Sequence, residues 1–138
     1  MKIVQKGNDL YITVMTAEQL SHAEVDEYHR EEGKEPEGYQ RMPSHKRVFE
    51  YGKYVNLTSG LSPTSVTISV RKPVKFVKKM GNFGKLKVPD DATLWIVDGQ
   101  HRIKGLQLLN EKEGGKHLNF PLPVVILPVY DYVNLEAE

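Results

Sequence analysis

Five consecutive residues, Asp98-Gly99-Gln100-His101-Arg102, place a carboxylate, an amide, an imidazole and a guanidinium within one short stretch of chain. The apolar run Thr93-Leu94-Trp95-Ile96-Val97 precedes them, and Ile103, Leu106 and Leu109 follow at helical spacing. The pentapeptide therefore reads as the junction where a buried strand ends and a helix begins. Such a junction leaves backbone N–H groups without intrahelical partners, aimed out of the helix N-terminus, where anions bind. Gly99 permits a sharp turn and close approach to a ligand. Arg102 offers a planar fork to phosphate oxygens, His101 a titratable donor and Gln100 a neutral amide. Asp98 has three open roles: orienting His101 or Arg102, holding a divalent cation, or acting as general base. Gly105, one turn further on, allows close packing of the helix against a neighbour. The plain structural alternative makes Asp98 a helix cap and leaves His101 and Arg102 on the surface. Against it, each cation in a helix's first turn opposes the macrodipole by roughly 0.3–1 kcal/mol, so a His-Arg pair there asks for an anionic partner.

The elements that must position this junction are legible in the hydrophobic periodicity. Leu10–Met15 has strand character. Thr16 with Gln19 forms a capping-box pattern that opens a helix from Ala17 to about His29. Gly33, Pro36 and Gly38 break it, and Gly38–Pro43 reads as a loop. Ser44 caps a second helix, His45 to about Val55, with Val48, Tyr51 and Val55 on one face. Thr64–Val70 alternates as a half-buried strand with Val66, Ile68 and Val70 inward. Lys85–Val88 is expected to form a hairpin with Thr93–Val97 through Pro89-Asp90-Asp91, the second strand being central and buried on both faces. A helix follows from about His101 to Lys112, stopped by Gly114-Gly115. Leu122–Tyr130, with its prolines, reads as an edge strand. The whole is expected to be one α+β domain over 1–138, a mixed sheet with flanking helices, and this domain could belong to a longer protein.

Composition removes several classes of function. The chain has 138 residues and no cysteine, which excludes disulfides, thiolate metal sites and thiol nucleophiles. No apolar run approaches the roughly 20 residues that cross a bilayer, and Met1–Lys6 lacks a signal peptide's apolar stretch. A cytoplasmic location without membrane contact is expected. The four histidines outside the junction show no metal-ligand spacing. Net charge is only +1, yet its distribution is uneven. From Glu18 to Glu37 acids outnumber bases eight to two, whereas Arg71–Lys87 holds seven bases and no acid. That second stretch, with Arg71, Lys72, Lys75, Lys78 and Lys79 foremost, is either a candidate DNA contact or a solvated surface kept soluble by lysines.

Val97-Asp98-Gly99-Gln100-His101-Arg102-Ile103-Lys104-Gly105-Leu106 resembles the signature of DGQHR-domain proteins. These include the DndB family, associated with DNA phosphorothioate modification, and are similar to the wider ParB/sulfiredoxin-like superfamily. Gly38-Tyr39-Gln40-Arg41, followed by a helix, Pro63 and the Val66–Val70 strand, is similar to the group's N-terminal pattern, so the resemblance covers about residues 38–130. It implies a ParB/sulfiredoxin-like fold and a phosphate- or nucleotide-binding loop formed by Gly99, Gln100, Arg102 and Gly105. By residue type alone, Arg41 of the earlier loop could reach that site as a second cation beside Gln40, and Tyr39 could stack on a base. Sulfiredoxins carry a catalytic cysteine where this chain has Gln100, so sulfur reduction is excluded. ParB-like proteins use a Glu-Arg-Arg version of the turn, which leaves nucleotide identity open.

Three readings follow. In one, the chain is a phosphohydrolase, either a nucleoside triphosphatase or nuclease-like, that uses Mg2+. Asp98 serves as base or metal ligand, and His101 and Arg102 stabilise charge. In the second it is a DNA-binding regulator of a phosphorothioation gene cluster that contacts phosphates through the basic stretch and has no turnover. In the third it is an interaction module in which the junction is only scaffold.

Overall fold

The structure, a computed structural model, describes residues 1–25, 44–56 and 61–128. In chain order its elements are β1 (Lys2–Gln5), β2 (Asn8–Thr16), α1 (Ala17–Leu20), α2 (His45–Asn56), β3 (Val66–Val70), β4 (Lys75–Met80), β5 (Phe83–Lys87), β6 (Leu94–Asp98), α3 (Gln100–Lys112) and β7 (Pro121–Pro128). Five strands form one sheet in the order β1-β2-β7-β3-β6, and β4-β5 forms a separate two-stranded sheet. All pairs in the main sheet are antiparallel except β3 with β7. The architecture is α+β with a mixed sheet, as the sequence periodicity implied.

Alternation places the core. Val66, Ile68 and Val70 of β3 are wholly buried, and they form one cluster with Ile96, Leu122 and Val124 from the neighbouring strands. Ile103, Leu106 and Leu109, one stripe of α3, pack into the same cluster. Each such aliphatic side chain contributes about 1.5–3 kcal/mol when removed from water, so this stripe is what seats α3 on the sheet. Val48 and Val55 of α2 are also buried.

Three expectations about the sheet are corrected. First, β5 does not form a hairpin with β6. It pairs with β4 across Gly81-Asn82, while β6 pairs with β3. Pro89–Ala92 does make a turn, with the Ala92 N–H donating to Pro89 O at 3.0 Å, but it redirects the chain to another sheet. Second, β6 is an edge strand, in which Ile96 alone is fully buried. Its apolar sequence is sheltered by the chain after α1. Glu24 lies alongside, donating to Leu94 O at 2.8 Å and accepting from the Ile96 N–H at 2.7 Å. Third, β7 lies inside the sheet. Its β2 ladder covers 121–126 and its β3 ladder covers 124–128, so Pro121, Pro123 and Pro128 all fall where only one neighbour is present. The doubly paired residues Val124, Val125 and Ile126 are free of proline, which is how a proline-rich strand is accommodated in the interior.

The first helix is also shorter than expected. Thr16 and Gln19 make the reciprocal capping box, but α1 ends at Leu20, because the chain leaves it to cover the β6 edge through Glu24. The remainder of the expected helix, beyond Val25, lies outside the described residues, as does the Gly38–Pro43 loop.

Candidate functional site

The strand-to-helix junction is built as its residue types require. Across the β3–β6 ladder, the step from Thr67 to Ile68 spans the two residues from Asp98 to Ile96, a bulge that re-aims the end of β6. Gly99 then turns the chain at φ 104° and is the N-cap of α3. A Cβ there would lie 3.0 Å from Val66 Cγ2, so glycine is demanded by both conformation and space. Among the described residues no side chain caps the helix. Asp98 therefore is not a cap; its carboxylate is 76% exposed and lies 3.8 Å from Arg102 Nη2.

Arg102 has a different environment from an open phosphate fork. Its Nη1 donates to Thr64 O at 2.6 Å and Thr64 Oγ1 at 3.0 Å, and its Nη2 donates to Ser65 O at 3.0 Å. The guanidinium, with 17% of the side chain exposed, thus anchors the segment entering β3. Two tyrosines of α2 hold the same segment. Tyr54 donates to Leu61 O at 2.7 Å and accepts from the Leu61 N–H at 3.1 Å, while Tyr51 donates to Ser62 Oγ at 2.8 Å. Burial pushes the Tyr51 phenol above its usual range, so it stays a neutral donor.

His101 reaches the other helix. Its Nε2 accepts the backbone N–H of Ser44 at 3.1 Å, which places the ring proton on Nδ1. Burial, and then the charge of Arg47, hold its pKa below the ordinary histidine value, so it is neutral near pH 7.

These contacts reveal a relationship the sequence did not disclose. His101 meets Ser44 at the start of both helices, Gly105 meets Val48 and Gly52 at their middle, and His117, just after α3, meets Asn56 at the end of α2. Helices α2 and α3 therefore run side by side in the same direction. Gly105 sets their separation: a Cβ on it would lie 2.8 Å from Val48 O and 2.9 Å from Tyr51 Cδ1. The structure thus gives Gly105 a position in helix packing, and it buries Gln100 to 6% exposure in the first turn of α3.

At the shared N-terminal end lies an open cleft of about 530 Å³, with Arg47, Glu50 and Tyr54 on one wall and Asp98, Gly99 and His101 on the other. Neither helix has an acid in its first turn. Instead the first turns carry His45, Lys46 and Arg47 on α2 and His101 and Arg102 on α3. Each helix adds roughly half a positive charge at this end. Arg47 is exposed and has no ion pair among the described residues. Sequence reasoning missed Arg47 and Tyr54 as cleft residues. The signal was present, since a run of three basic residues opening a helix is as unfavourable to the dipole as the His-Arg pair of α3.

Gln40, Arg41 and Tyr39 lie outside the described residues. Among the described residues no three His, Asp or Glu side chains gather as a metal site. At the cleft, Asp98 would thus hold Mg2+ only as a lone carboxylate, with phosphate oxygens and water completing the shell, an arrangement usual for that ion. The basic stretch divides. Arg71 stacks on Trp95 at 4.2 Å and Lys72 pairs with Asp91 at 2.6 Å, whereas Lys75, Lys78 and Lys79 are exposed on β4. No described helix is long and apolar enough to cross a membrane.

Comparison with known proteins identifies the family. The family model DndB, described as DNA-sulfur modification-associated, matches residues 1–133, and the chain belongs to that family. No curated protein and no solved structure matches it.

Proposed function

We propose that this DndB-family chain serves a DNA phosphorothioation system by binding the phosphate of a nucleotide, or of DNA, in the cleft between the N-termini of α2 and α3. The observation that supports it is the convergence of two parallel helix N-termini, neither with an acid in its first turn, on one cleft walled by Arg47 and His101. The aligned dipoles of the two helix N-termini favour an anion there, and Arg47 would supply the fork that the anchored Arg102 does not. Neutral His101 would donate through Nδ1–H. If the bound phosphate is hydrolysed, exposed Asp98 is the group placed to activate water or to share Mg2+ with the phosphate oxygens.

Isothermal titration with ATP, GTP and CTP in Mg2+, alongside a short duplex, tests this on the wild type and Arg47→Gln. Binding that weakens at least tenfold in the variant is expected, and a phosphate-release assay then separates an enzyme from a switch. Nucleotide binding that is unchanged in Arg47→Gln, or absent for every nucleotide, would overturn the reading.

A second reading, a DNA-binding regulator without turnover, is favoured by one observation. Five lysines of the basic stretch stand exposed on the β4–β5 hairpin without ion pairs among the described residues.

A further inference from the structure

We infer that the outward face of the β4–β5 hairpin grips the phosphate backbone of duplex DNA at a surface separate from the α2–α3 cleft; this deepens the second reading above and does not depend on the cleft. The ladder pairs Lys75 with Lys87, Phe76 with Leu86 and Val77 with Lys85. Because side chains alternate across a strand, Phe76 and Leu86 share the face that packs on the core. Lys75, Lys85 and Lys87 share the opposite face, and all three are exposed. Like charges placed directly opposite, as at Lys75 and Lys87, weaken a hairpin unless an outside anion neutralises them. Lys78 and Lys79 add exposed charge where the register slips before Met80. The other two cations of the stretch are engaged elsewhere, Arg71 on Trp95 and Lys72 on Asp91, so among the described residues the unpaired charge of the stretch lies on the hairpin.

This face is held in place. The Phe76 ring lies 5.4 Å from that of Tyr11, and the Lys2 N–H donates to Asn82 O in the turn at 2.8 Å. Lysines two apart on an anchored strand stand about 7 Å apart, the axial rise of two phosphates along one strand of a duplex. A two-stranded ribbon also has a width that the major groove admits. Beside the turn, Met80 and Phe83 are 77% and 59% exposed. A merely solvated lysine surface gives no reason for two large apolar side chains in water, whereas beside a bound duplex they would press on sugars or base steps.

Fluorescence anisotropy of the full chain with a labelled duplex of about two helical turns, repeated across salt concentrations, tests the inference. Replacing Lys75, Lys85 and Lys87 together by Gln should weaken binding about a hundredfold at 0.1 M salt and flatten the log–log salt slope by about 2.7, three contacts at about 0.9 each. Met80→Ser with Phe83→Ser should weaken binding while leaving the slope unchanged. Lys53→Gln with Lys116→Gln, one on α2 and one in the turn after α3, should match the wild type. Unaltered affinity and slope in the triple variant would overturn the inference, and so would tighter binding of single strands than of the duplex, or no binding of the duplex at all. Nucleotide titration of the triple variant separates the two sites, since it should match the wild type whether or not the cleft reading holds.

Discussion

Ser44 and His101, 57 residues apart in sequence, are joined by a single hydrogen bond of 3.1 Å from the Ser44 backbone N–H to His101 Nε2. Through it the N-terminus of α2 is registered against that of α3, and an orphan donor at the head of one helix is satisfied by the first turn of the other. The bond requires Nε2 to be unprotonated, so the meeting of the two helix ends is sensitive to acid.

That sensitivity has a definite sign. The folded pKa of His101 is lowered below its unfolded value, so below about pH 6.5, the unperturbed value, the unfolded chain takes up a proton that the folded chain resists, and stability falls. Above that pH both states are neutral and the contribution is fully present. Thermal unfolding followed from pH 7.5 to pH 5.5 should show a steeper loss of Tm in the wild type than in His101→Gln. Equal slopes would mean that His101 titrates normally.

Arg102 is expected to report on stability before it reports on binding. Arg102→Gln removes charge-assisted donors from Thr64 and Ser65 and should cost about 1.5–3 kcal/mol in urea unfolding. Arg47→Gln, on the exposed wall of the cleft, should leave stability within about 0.5 kcal/mol of wild type. A stable Arg102→Gln would show that the anchoring bonds contribute little.

Gly105→Ala tests the helix crossing. The added methyl would stand 2.8 Å from Val48 O and 2.9 Å from Tyr51 Cδ1, and neither α2 backbone nor a half-buried ring yields easily. The overpacking is expected to cost about 1–3 kcal/mol, partly offset by the roughly 1 kcal/mol that alanine gains over glycine in a helix. Calorimetry should show a lower Tm. A raised Tm would mean that the helices part without penalty.

Much was determined by sequence alone. The Val66-Ile68-Val70 alternation, the Ile103-Leu106-Leu109 stripe and the Thr16–Gln19 capping box each depend on residues close in the chain, and each appears where local periodicity requires it. The Asp98–Arg102 junction was legible for the same reason, because a strand, a glycine and a helix in succession specify their own turn. The partners of the strands were not. Whether β5 joined β4 or β6, and whether β7 lay at an edge or inside, depends on contacts between distant residues, and proline's missing donor excludes only positions where that donor is needed, which the staggered β7 ladders avoid. The destination of Arg102 likewise depended on tertiary structure: the sequence supplies a guanidinium, but only the approach of Thr64 and Ser65 decided that it would hold a strand entry, leaving Arg47, brought in by the glycine contact of two parallel helices, to face the cleft.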